Sequence, residues 1–423
     1  MIVPSIDLMD GQAVQLIGGR EKALDAGDPR PIADRFGVVG ETAVIDLDAA
    51  LGRGSNRDLI RELLERAPCR VGGGIRDVRS AVEWLDAGAR KVILGTAARV
   101  EVVRDLPKER VIAALDARHD RVVVEGWTKE TGARVEDRIV ELREHVGGFL
   151  ITFVEREGRM GGLPMERVRE LVALAAPARV TVAGGVRNPG DVAEADRSGA
   201  DAQVGMALYT GAFDLAEGFC APLVSDRADG LWPTVVVNEL GVALGVAYSS
   251  AESVREAMRL RRGVYYSRSR RGLWVKGETS GNVQELLGIA VDCDRDALRF
   301  TVRQRGIGFC HTGTHTCFGA DAGIGGLERT IDERMGAAVP GSYTQRLLDD
   351  GTLLRAKLVE EAGELADAET AAEAAHEAAD VLYFALVAAR RRGASLADVA
   401  RSLDRKAMRI TRRPGNAKRG GQG

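Results

Sequence analysis

The chain contains the stretch Val71-Gly-Gly-Gly-Ile-Arg76 and, 111 residues later, the similar stretch Val182-Ala-Gly-Gly-Val-Arg187. Three further pairs of similar segments occur in the same order, at offsets of 109 to 111 residues. They are Ile6-Asp7 with Leu115-Asp116, Ala87-Gly88-Ala89 with Ser198-Gly199-Ala200, and Leu94-Gly95-Thr96-Ala97 with Val204-Gly205-Met206-Ala207. Coincidence among glycine-rich turns is the alternative, but four ordered pairs favour an internal repeat of two halves.

Residues 1–219 alternate short apolar runs with amphipathic segments of helical period. The apolar runs are Val3–Leu8, Thr42–Asp48, Arg70–Gly74, Lys91–Gly95, Val111–Asp116, Phe149–Phe153, Val180–Gly184 and Ala202–Gly205. Eight strands that are each followed by a helix predict an α/β TIM barrel, the (β/α)8 fold. Two halves of four strand–helix units each would also explain the repeat.

The rest of the chain changes character twice after a linker at 220–229. Residues 230–320 predict a small, mostly β module with strands at Thr234–Val237, Ala243–Tyr248, Val264–Ser267, Leu273–Lys276, Ile289–Cys293 and Leu298–Arg303. Residues 342–415 are rich in Ala, Leu and Glu and predict an all-α module. Ser342 and Thr352 are candidate N-caps, and Gly351 is expected to separate two helices.

The composition excludes several classes of function. A net charge of −3 and 4% aromatic residues offer no basic field or stacking platform for nucleic acid. No apolar run approaches the ~20 residues of a membrane-spanning helix. The N-terminal segment lacks a basic region and is not a signal peptide. Five cysteines in 423 residues are too few for a disulfide scaffold, so we expect a cytoplasmic protein with a metal site.

The densest group of potential metal ligands is Asp292-Cys293-Asp294-Arg295-Asp296. If this segment is a strand, Asp292, Asp294 and Asp296 share one face, with Cys293 on the other. Three neighbouring carboxylates repel one another unless a hard cation such as magnesium lies among them. Cys293, Cys310 and Cys317 could hold zinc with one open, catalytic position. A closed structural zinc site, completed by His311 or His315, is the equal alternative on spacing alone.

Three segments of this module, SRSRRGLWVKGETSGN (267–282), DCDRDA (292–297) and CHTGTHTCF (310–318), resemble phosphoribosyl-AMP cyclohydrolase. The resemblance implies zinc on Cys293, Cys310 and Cys317 and magnesium on the three aspartates. It also implies a dimer whose zinc ligands come from both subunits. The zinc would activate the water that opens the adenine ring.

Four residues near these segments are candidates for other roles in the ring opening. His311 is the candidate for proton transfer, or else it makes a hydrogen bond to the metal site. His315 is a second possible ligand or base. Arg268 and Lys276 would bind substrate phosphates, unless 267–282 is only a hairpin with an exposed basic turn.

In the helical module, Glu361 and Glu364 stand three residues apart, as do Glu377 and Asp380, so each pair shares a helix face. Four facing carboxylates would bind magnesium ions that grip a pyrophosphate group, and an ordinary solvated helix is the alternative. The segments 343–347, 357–364 and 377–384 resemble phosphoribosyl-ATP pyrophosphohydrolase, which implies an all-α dimer. Lys357 is then a phosphate contact and Glu360 an auxiliary ligand.

In the barrel, Asp7 and Asp116 end the first and fifth predicted strands, at the rim where barrel active sites lie. They could act as base and acid. Two glycine-rich groups would form phosphate cups for a substrate with a phosphate at each end; strand capping and tight turns are the alternative. The groups are Gly73, Gly74, Gly95 and Thr96, and Gly184, Gly185, Gly205 and Met206.

The segments VPSIDLMDG (3–11), VGGGIRD (71–77) and ALDAR (114–118) with Gly126-Trp127 resemble the histidine-pathway isomerase of phosphoribosylformimino-aminoimidazole carboxamide ribotide. The resemblance implies ring opening of an aminoaldose and its conversion to an aminoketose. Gln15 replaces the usual Arg of that family. Phe153 and Arg159 also depart from its Thr-Asp-x-x-x-Asp-Gly-Thr pattern, in which Glu157 keeps a carboxylate.

Together the modules predict a multifunctional enzyme of histidine biosynthesis that acts on phosphoribosyl nucleotides, as a homodimer or larger homo-oligomer. The barrel could instead be a non-catalytic scaffold, or an isomerase of relaxed specificity that also serves tryptophan synthesis. A metal-dependent nucleotide housekeeping enzyme is a further alternative for the whole chain. Three modules for related intermediates argue against it.

Overall fold

The computed structural model describes residues 1–19, 21–124, 129–319, 322–337 and 341–411, without the side chains of 124 and 129–131. Gly126-Trp127 and the end of the predicted helical module, 412–415, therefore lie outside the described residues. The described chain forms two compact units. Of the described residues, the first unit contains those in 1–236, 246–305 and 408–411, and the second contains those in 237–245 and 306–407.

Residues 1–220 contain a closed barrel of eight parallel strands. The strands of this region are β1 Ile2–Met9, β2 Gln12–Ile17, β3 Glu21–Gly27, β4 Thr42–Asp46, β5 Cys69–Gly72, β6 Lys91–Leu94, β7 Val111–Arg118, β8 Arg121–Val124, β9 Lys129–Arg134, β10 Gly148–Phe153, β11 Arg179–Ala183 and β12 Ala200–Val204. The parallel order is β1-β4-β5-β6-β7-β10-β11-β12, and β12 pairs with β1. All eight predicted strands are confirmed.

The two halves of the barrel share a feature that the sequence analysis missed. The strand β1 continues into an antiparallel hairpin with β2, in which Asp7 pairs with Val14. The strand β7 continues in the same way into β8, in which Asp116 pairs with Val123. Each rim aspartate therefore stands at the root of an antiparallel extension, in equivalent positions of the two halves.

Helices follow the barrel strands and cover them. They are α1 Pro29–Phe36, α2 Leu47–Leu51, α3 Arg57–Arg66, α4 Val78–Ala87, α5 Val100–Val103, α6 Val135–Leu142, α7 Met165–Ala175, α8 Pro189–Arg197, α9 Met206–Tyr209 and α10 Leu215–Cys220. The repeat recurs in their caps, because Asp77 caps α4 and Asn188 caps α8 through side-chain oxygens that accept backbone N–H bonds. Ile93, Ile112, Leu150 and Ala183 form one of the buried clusters.

The next region is mostly β. Its elements are β13 Trp232–Val237, β14 Ala243–Ser249, α11 Ala251–Leu260, β15 Val264–Ser267, β16 Gly272–Val275, β17 Gln284–Val291 and β18 Leu298–Gln304. Four strands form a sheet in the order β14-β13-β18-β17, and β15 with β16 forms a hairpin. The helix α11 was not predicted, although Ser250 and Ser253 form a capping box at its start.

The C-terminal region is helical, as predicted from residue 342 onward, and one unpredicted helix precedes that residue. Its helices are α12 Gly323–Gly336, α13 Tyr343–Asp349, α14 Gly351–Asp367, α15 Ala371–Arg391 and α16 Leu396–Met408. Ser342 caps α13 as expected. The prediction for Thr352 was wrong, because Asp350 caps α14 and accepts from the N–H groups of Thr352 and Leu353. Ile331, Leu347, Leu354, Phe384 and Val387 belong to the buried core of this region.

Among the described residues, no helix is long and apolar enough to cross a membrane. The cytoplasmic location stays a prediction from composition.

Candidate active sites

Asp7 and Asp116 lie near the C-terminal ends of their strands, where the barrel prediction placed them. Asp7 pairs in register with Ile45 of β4, and Asp116 pairs with Thr152 of β10. Burial raises the pKa of Asp7 to about 7. A carboxyl group with that pKa is partly protonated at neutral pH and can both give and accept a proton.

A third carboxyl group belongs to the same mouth of the barrel. Glu157 follows β10, and burial, together with the charges of Asp7 and Asp116, raises its pKa to about 8. Its Oε2 would lie 3.1 Å from a Cβ built on Gly184, so the carboxyl group is at the turn that follows β11. Sequence analysis noted Glu157 only as a retained carboxylate, since its place beside the aspartates depends on the loop after β10.

The predicted phosphate cups are turns in which the backbone approaches other backbone closely. Gly73 has a φ of +92°, and a Cβ built on it would lie 2.2 Å from the carbonyl oxygen of Asp46. Gly184 has a φ of +85°, and its Cβ would lie 2.5 Å from the carbonyl oxygen of Phe153. Only glycine fits such positions without strain. The next residues, Gly74 and Gly185, also have positive φ, and a Cβ on them would lie 2.5 and 2.7 Å from its nearest neighbour.

The other halves of the two cups differ from each other. A Cβ on Gly95 would meet nothing within 4 Å, and Thr96 follows it in a turn. A Cβ on Gly205 would lie 2.4 Å from Oε1 of Gln15, and Met206 begins the short helix α9. The cup near Gly95 is therefore open, whereas a side chain crowds the cup near Gly205.

Of the three residues that depart from the isomerase pattern, two are buried and one is exposed. Gln15 is only 2% exposed, and its Nε2 donates to the carbonyl oxygen of Val14 at 2.9 Å. Phe153 is buried at the end of β10, whereas Arg159 is exposed. The position of Gln15 thus brings a neutral amide beside Gly205, where the resemblance implies a cation.

Asp292, Asp294 and Asp296 converge, but they do so in a turn rather than on a strand. The strand β17 ends at Val291, so the predicted strand through Cys293 was wrong. One oxygen from each of the three carboxylates lies within 4.8 Å of the others. Asp292 Oδ1 accepts from the N–H groups of Asp296 and Ala297, both at 3.1 Å, and this folds the loop back on itself. Three convergent hard oxygens fit a magnesium ion.

The electrostatics of this loop differ from one aspartate to the next. Partial burial pushes the pKa of Asp292 upward, but hydrogen bonds from Ala297 and Asp296 outweigh it and leave that pKa below its ordinary value. The pKa of Asp296 is raised by its hydrogen bond to Asp292 and by the charge of Asp294. The carboxyl group of Asp296 is therefore harder to ionise than that of an isolated aspartate, whereas that of Asp292 is easier to ionise.

The candidate zinc ligands belong to different units. Cys293 is in the first unit, and Cys310 and Cys317 are in the second. Hydrogen bonds from Thr312, and further ones from Thr314 and Cys317, lower the pKa of Cys310 to about 6. Cys310 is thus a thiolate at neutral pH, the form that binds zinc.

The two histidines have different surroundings. His311 is exposed, with its Nδ1 4.0 Å from Sγ of Cys310. His315 is half-buried, and its Nε2 lies 3.5 Å from a guanidinium nitrogen of Arg329. Burial, and then the charge of Arg329, lower the pKa of His315. His311 is therefore the more accessible of the two for proton transfer.

Arg268 lies in the turn between β15 and β16, and Lys276 directly follows β16. Arg268 is exposed in the turn, and its guanidinium carbon lies 3.9 Å from the ring centre of Tyr248. Lys276 is only 5% exposed, with its ammonium nitrogen 5.4 Å from the ring centre of Trp274. The structure thus shows an exposed basic turn at Arg268, whereas Lys276 is buried.

In the helical region, α14 and α15 bring the predicted carboxylates together. One oxygen from each of Glu361, Glu377 and Asp380 lies within 4.8 Å of the others. Burial, and then the charges of Glu361 and Glu377, raise the pKa of Glu364, which places this fourth carboxyl beside them. Lys357 Nζ lies 2.8 Å from Glu361 and 3.0 Å from Glu360. Four carboxylates with one lysine fit magnesium and a phosphate.

Three protein families match successive parts of the chain. Residues 1–214 match the family described as histidine biosynthesis protein. Residues 245–319 match phosphoribosyl-AMP cyclohydrolase, and residues 324–407 match phosphoribosyl-ATP pyrophosphohydrolase.

Individual proteins are also similar. The histidine biosynthesis trifunctional protein of Neurospora crassa is 56% identical over 194 residues, which are 46% of this chain and 22% of that protein. The histidine biosynthesis bifunctional protein of Schizosaccharomyces pombe is 54% identical over 194 residues, 46% of either chain. A phosphoribosylaminomethylideneamino-imidazole-carboxamide isomerase of Gemmatimonas aurantiaca is 39% identical over 236 residues, 52% of this chain and 99% of that protein. The chain thus matches about a quarter to about half of the length of these fungal relatives.

Proposed function

Because this chain belongs to the histidine biosynthesis protein family, we propose that it performs three steps of that pathway. It joins an isomerase-family barrel to cyclohydrolase and pyrophosphohydrolase domains. In the proposed order, phosphoribosyl-ATP loses pyrophosphate, the adenine ring of phosphoribosyl-AMP is opened, and the resulting aminoaldose is isomerised to an aminoketose. We assign these steps to modules at 342–415, 230–320 and 1–219.

For the first step, the carboxylates of α14 and α15 would hold magnesium. The observation that supports this is the convergence of Glu361, Glu377 and Asp380 within 4.8 Å. Magnesium bound there would neutralise the pyrophosphate and assist attack by water. Lys357, which already bridges Glu360 and Glu361, would turn its ammonium group toward a phosphate oxygen when substrate arrives.

For the second step, Cys293, Cys310 and Cys317 would hold zinc. Zinc there would supply Lewis-acid activation of water near C6 of the adenine ring. The lowered pKa of Cys310 supports the assignment, because a thiolate is the ligand form. His311 lies beside that sulfur and would move the proton, while Arg268 would bind a substrate phosphate.

For the third step, the three carboxyl groups of the barrel mouth would exchange protons with the sugar. Asp7 would remove the C2 proton as base, and Asp116 would protonate the ring oxygen as acid. The elevated pKa values of Asp7 and Glu157 support this role, because proton transfer near neutral pH needs groups that titrate there. The turns at Gly73 and Gly184 would receive the two phosphates.

A scaffold role is the second candidate for the barrel. The observation that favours it is the amide of Gln15, which crowds Gly205 and offers no positive charge to a phosphate. An isomerase of relaxed specificity that also serves tryptophan synthesis would share the carboxyl groups but accept a smaller ligand in the altered cup.

We also propose a homodimer or larger homo-oligomer. Val359 on α14 and Leu382 on α15 are 67% and 48% exposed in the single chain, which suits an apolar contact between copies.

The decisive experiment supplies phosphoribosyl-ATP, zinc and magnesium to the purified chain and follows the products by mass spectrometry. We expect pyrophosphate, then the ring-opened aminoaldose, then the aminoketose. If the series stops at the aminoaldose, the barrel is a scaffold. If no pyrophosphate appears, the assignment of the helical module is wrong.

A further inference from the structure

The Asp292–Asp296 loop is tied to the barrel by one arginine. Arg295 stands between two of the loop carboxylates, but its guanidinium group points to Asp196 of the barrel helix α8. Nε lies 3.1 Å from one carboxylate oxygen of Asp196, and Nη2 lies 3.0 Å from the other. The two side chains are 24% and 10% exposed. A bidentate, largely buried ion pair of this kind is strong, and it fixes the orientation of the guanidinium group relative to the carboxylate.

The backbone of Arg295 has an unfavourable conformation that its surrounding contacts hold in place. Its φ is +74°, in the left-handed region that side-chain-bearing residues avoid. Nη1 also lies 3.2 Å from the carbonyl oxygen of Cys293, and the carbonyl oxygen of Arg295 accepts from Val224 at 2.9 Å. Residues held in such a conformation persist when surrounding contacts determine them, and they are concentrated at functional sites.

We propose that Arg295 is a positioning residue through which the barrel helix α8 holds the metal loop in its convergent form. The three aspartates repel one another, so without an ion the loop tends to open. The pair with Asp196 opposes this opening, and it does so from a part of the barrel distinct from the Asp7–Asp116 mouth. The inference rests on the proposed magnesium role of the loop. It gives the barrel a function in the ring-opening step that does not depend on the barrel's own chemistry.

The test measures metal binding and loop dynamics in the full-length chain. Manganese, a paramagnetic substitute for magnesium, is titrated with detection by electron paramagnetic resonance, in a Glu377→Gln background that weakens the helical carboxylate cluster. Asp294→Ala identifies the signal that belongs to the loop. Hydrogen exchange of the amides at 288–298 is followed without metal. Arg295→Ala, Asp196→Asn and the double variant are compared.

We expect each single variant to weaken manganese binding at the loop by about 10- to 100-fold, the usual cost of removing a residue that supports metal ligands. The double variant should be no weaker than the stronger single one, because both changes break the same contact. Amides of the loop should exchange faster in the variants before any metal is added. Asp196 also accepts from the Met1 nitrogen at 2.7 Å, so the Arg295 variants are the more specific ones.

Two further variants test whether weaker manganese binding comes from loss of the ion pair and not from other effects of the substitution. Arg255→Ala removes another arginine of the same unit, which forms more exposed pairs with Asp214 and Glu217 at 2.8 and 2.9 Å, and should leave manganese binding unchanged. Arg295→Gly relieves the left-handed backbone but still lacks the pair, so it should bind as weakly as Arg295→Ala.

Wild-type affinity in Arg295→Ala or Arg295→Gly, or additive effects in the double variant, would overturn the proposal. Unchanged manganese binding in Asp294→Ala would instead show that the loop is not the metal site. That result removes the proposed magnesium role and this inference with it.

Discussion

Asp7 is the residue whose chemistry best distinguishes an enzyme from a scaffold. Its pKa of about 7 reflects burial, so the group becomes a competent base only as the pH rises through that value. We expect the isomerisation rate to rise between pH 6 and 8 in step with that ionisation. Asp7→Asn should lower the rate by roughly 10²- to 10⁴-fold, the usual contribution of a general base. Direct assay with the aminoaldose measures both effects.

The same residue predicts a stability effect of known sign. The folded-state pKa lies above the ordinary value of 3.8, so this contribution to stability is fully present below pH 4 and is lost as the pH rises through 7. The loss amounts to a few kcal/mol at most. Asp7→Asn should therefore flatten the decline of the melting temperature between about pH 4 and 7. An equally steep decline in the variant would show that Asp7 is not the buried acid, and Glu157→Gln would then be the next variant.

Cys310 should be essential to one activity alone. Cys310→Ala removes a thiolate ligand, so the zinc content should fall and ring opening should cease, while pyrophosphate release continues. Metal analysis and the two assays measure this. Cys220→Ala, at a buried cysteine of α10, is the matched control and should retain zinc. Full zinc content with normal turnover in Cys310→Ala would contradict the ligand assignment.

Glu364 offers a matched comparison within a single helix. Glu364→Gln removes one charge from the carboxylate group of α14 and α15 and should stop pyrophosphate release without affecting ring opening of supplied phosphoribosyl-AMP. Asp367→Asn removes the same charge one turn later, outside that group, and should have little effect. Equal activity in both variants would mean that the carboxylates are only a solvated surface.

At the scale of elements, two glycines of one proposed cup should behave differently. Gly73→Ala places a Cβ 2.2 Å from a backbone oxygen at a φ of +92°, so it should lower stability by about 1–3 kcal/mol or more. Gly95→Ala meets nothing within 4 Å and should leave the melting temperature unchanged. If Gly95 faces a phosphate, the added methyl group should raise KM. Equal destabilisation by both substitutions would argue against this account of the cup.

The elements also show what sequence patterns could predict. The eight barrel strands were predictable because a fully buried parallel strand is a continuous apolar run. The extension after β1 was missed because β2 is a short run interrupted by Gln15, and β3, which pairs with β2, has no buried residue. The helix α11 was missed because its ten residues lie between strands in a region of β pattern.

The candidate sites differ in how well the sequence predicted their geometry. Spacing within one helix places Glu361 with Glu364, since helix geometry is local and regular. The three aspartates Asp292, Asp294 and Asp296 converge as predicted, but they do so in a turn and not on a strand. The turn is held by the hydrogen bonds that Asp292 accepts and by the contact of Arg295 with a helix distant in sequence. Contacts of that range leave no periodic signal in the sequence.

At the scale of the whole molecule, the three activities should respond differently to metal removal. Chelation should stop pyrophosphate release and ring opening, because both proposed sites depend on bound cations. Isomerisation of directly supplied aminoaldose should continue, because carboxyl groups alone can perform its proton transfers. Adding magnesium without zinc should restore pyrophosphate release only. Loss of isomerisation on chelation would show that the barrel chemistry was misassigned.

The first compact unit is discontinuous along the chain, and this affects how the protein is made. Met408 and Ile410 contact barrel residues: the Met408 carbonyl oxygen accepts from Arg110, and the Ile410 amide donates to Asp86 at 2.7 Å. The latter contact joins residues 324 positions apart. Closing so long a loop is entropically costly, and the partner segment is made more than 300 residues after Asp86. The barrel therefore lacks these two contacts until the segment that carries Met408 and Ile410 has been synthesised.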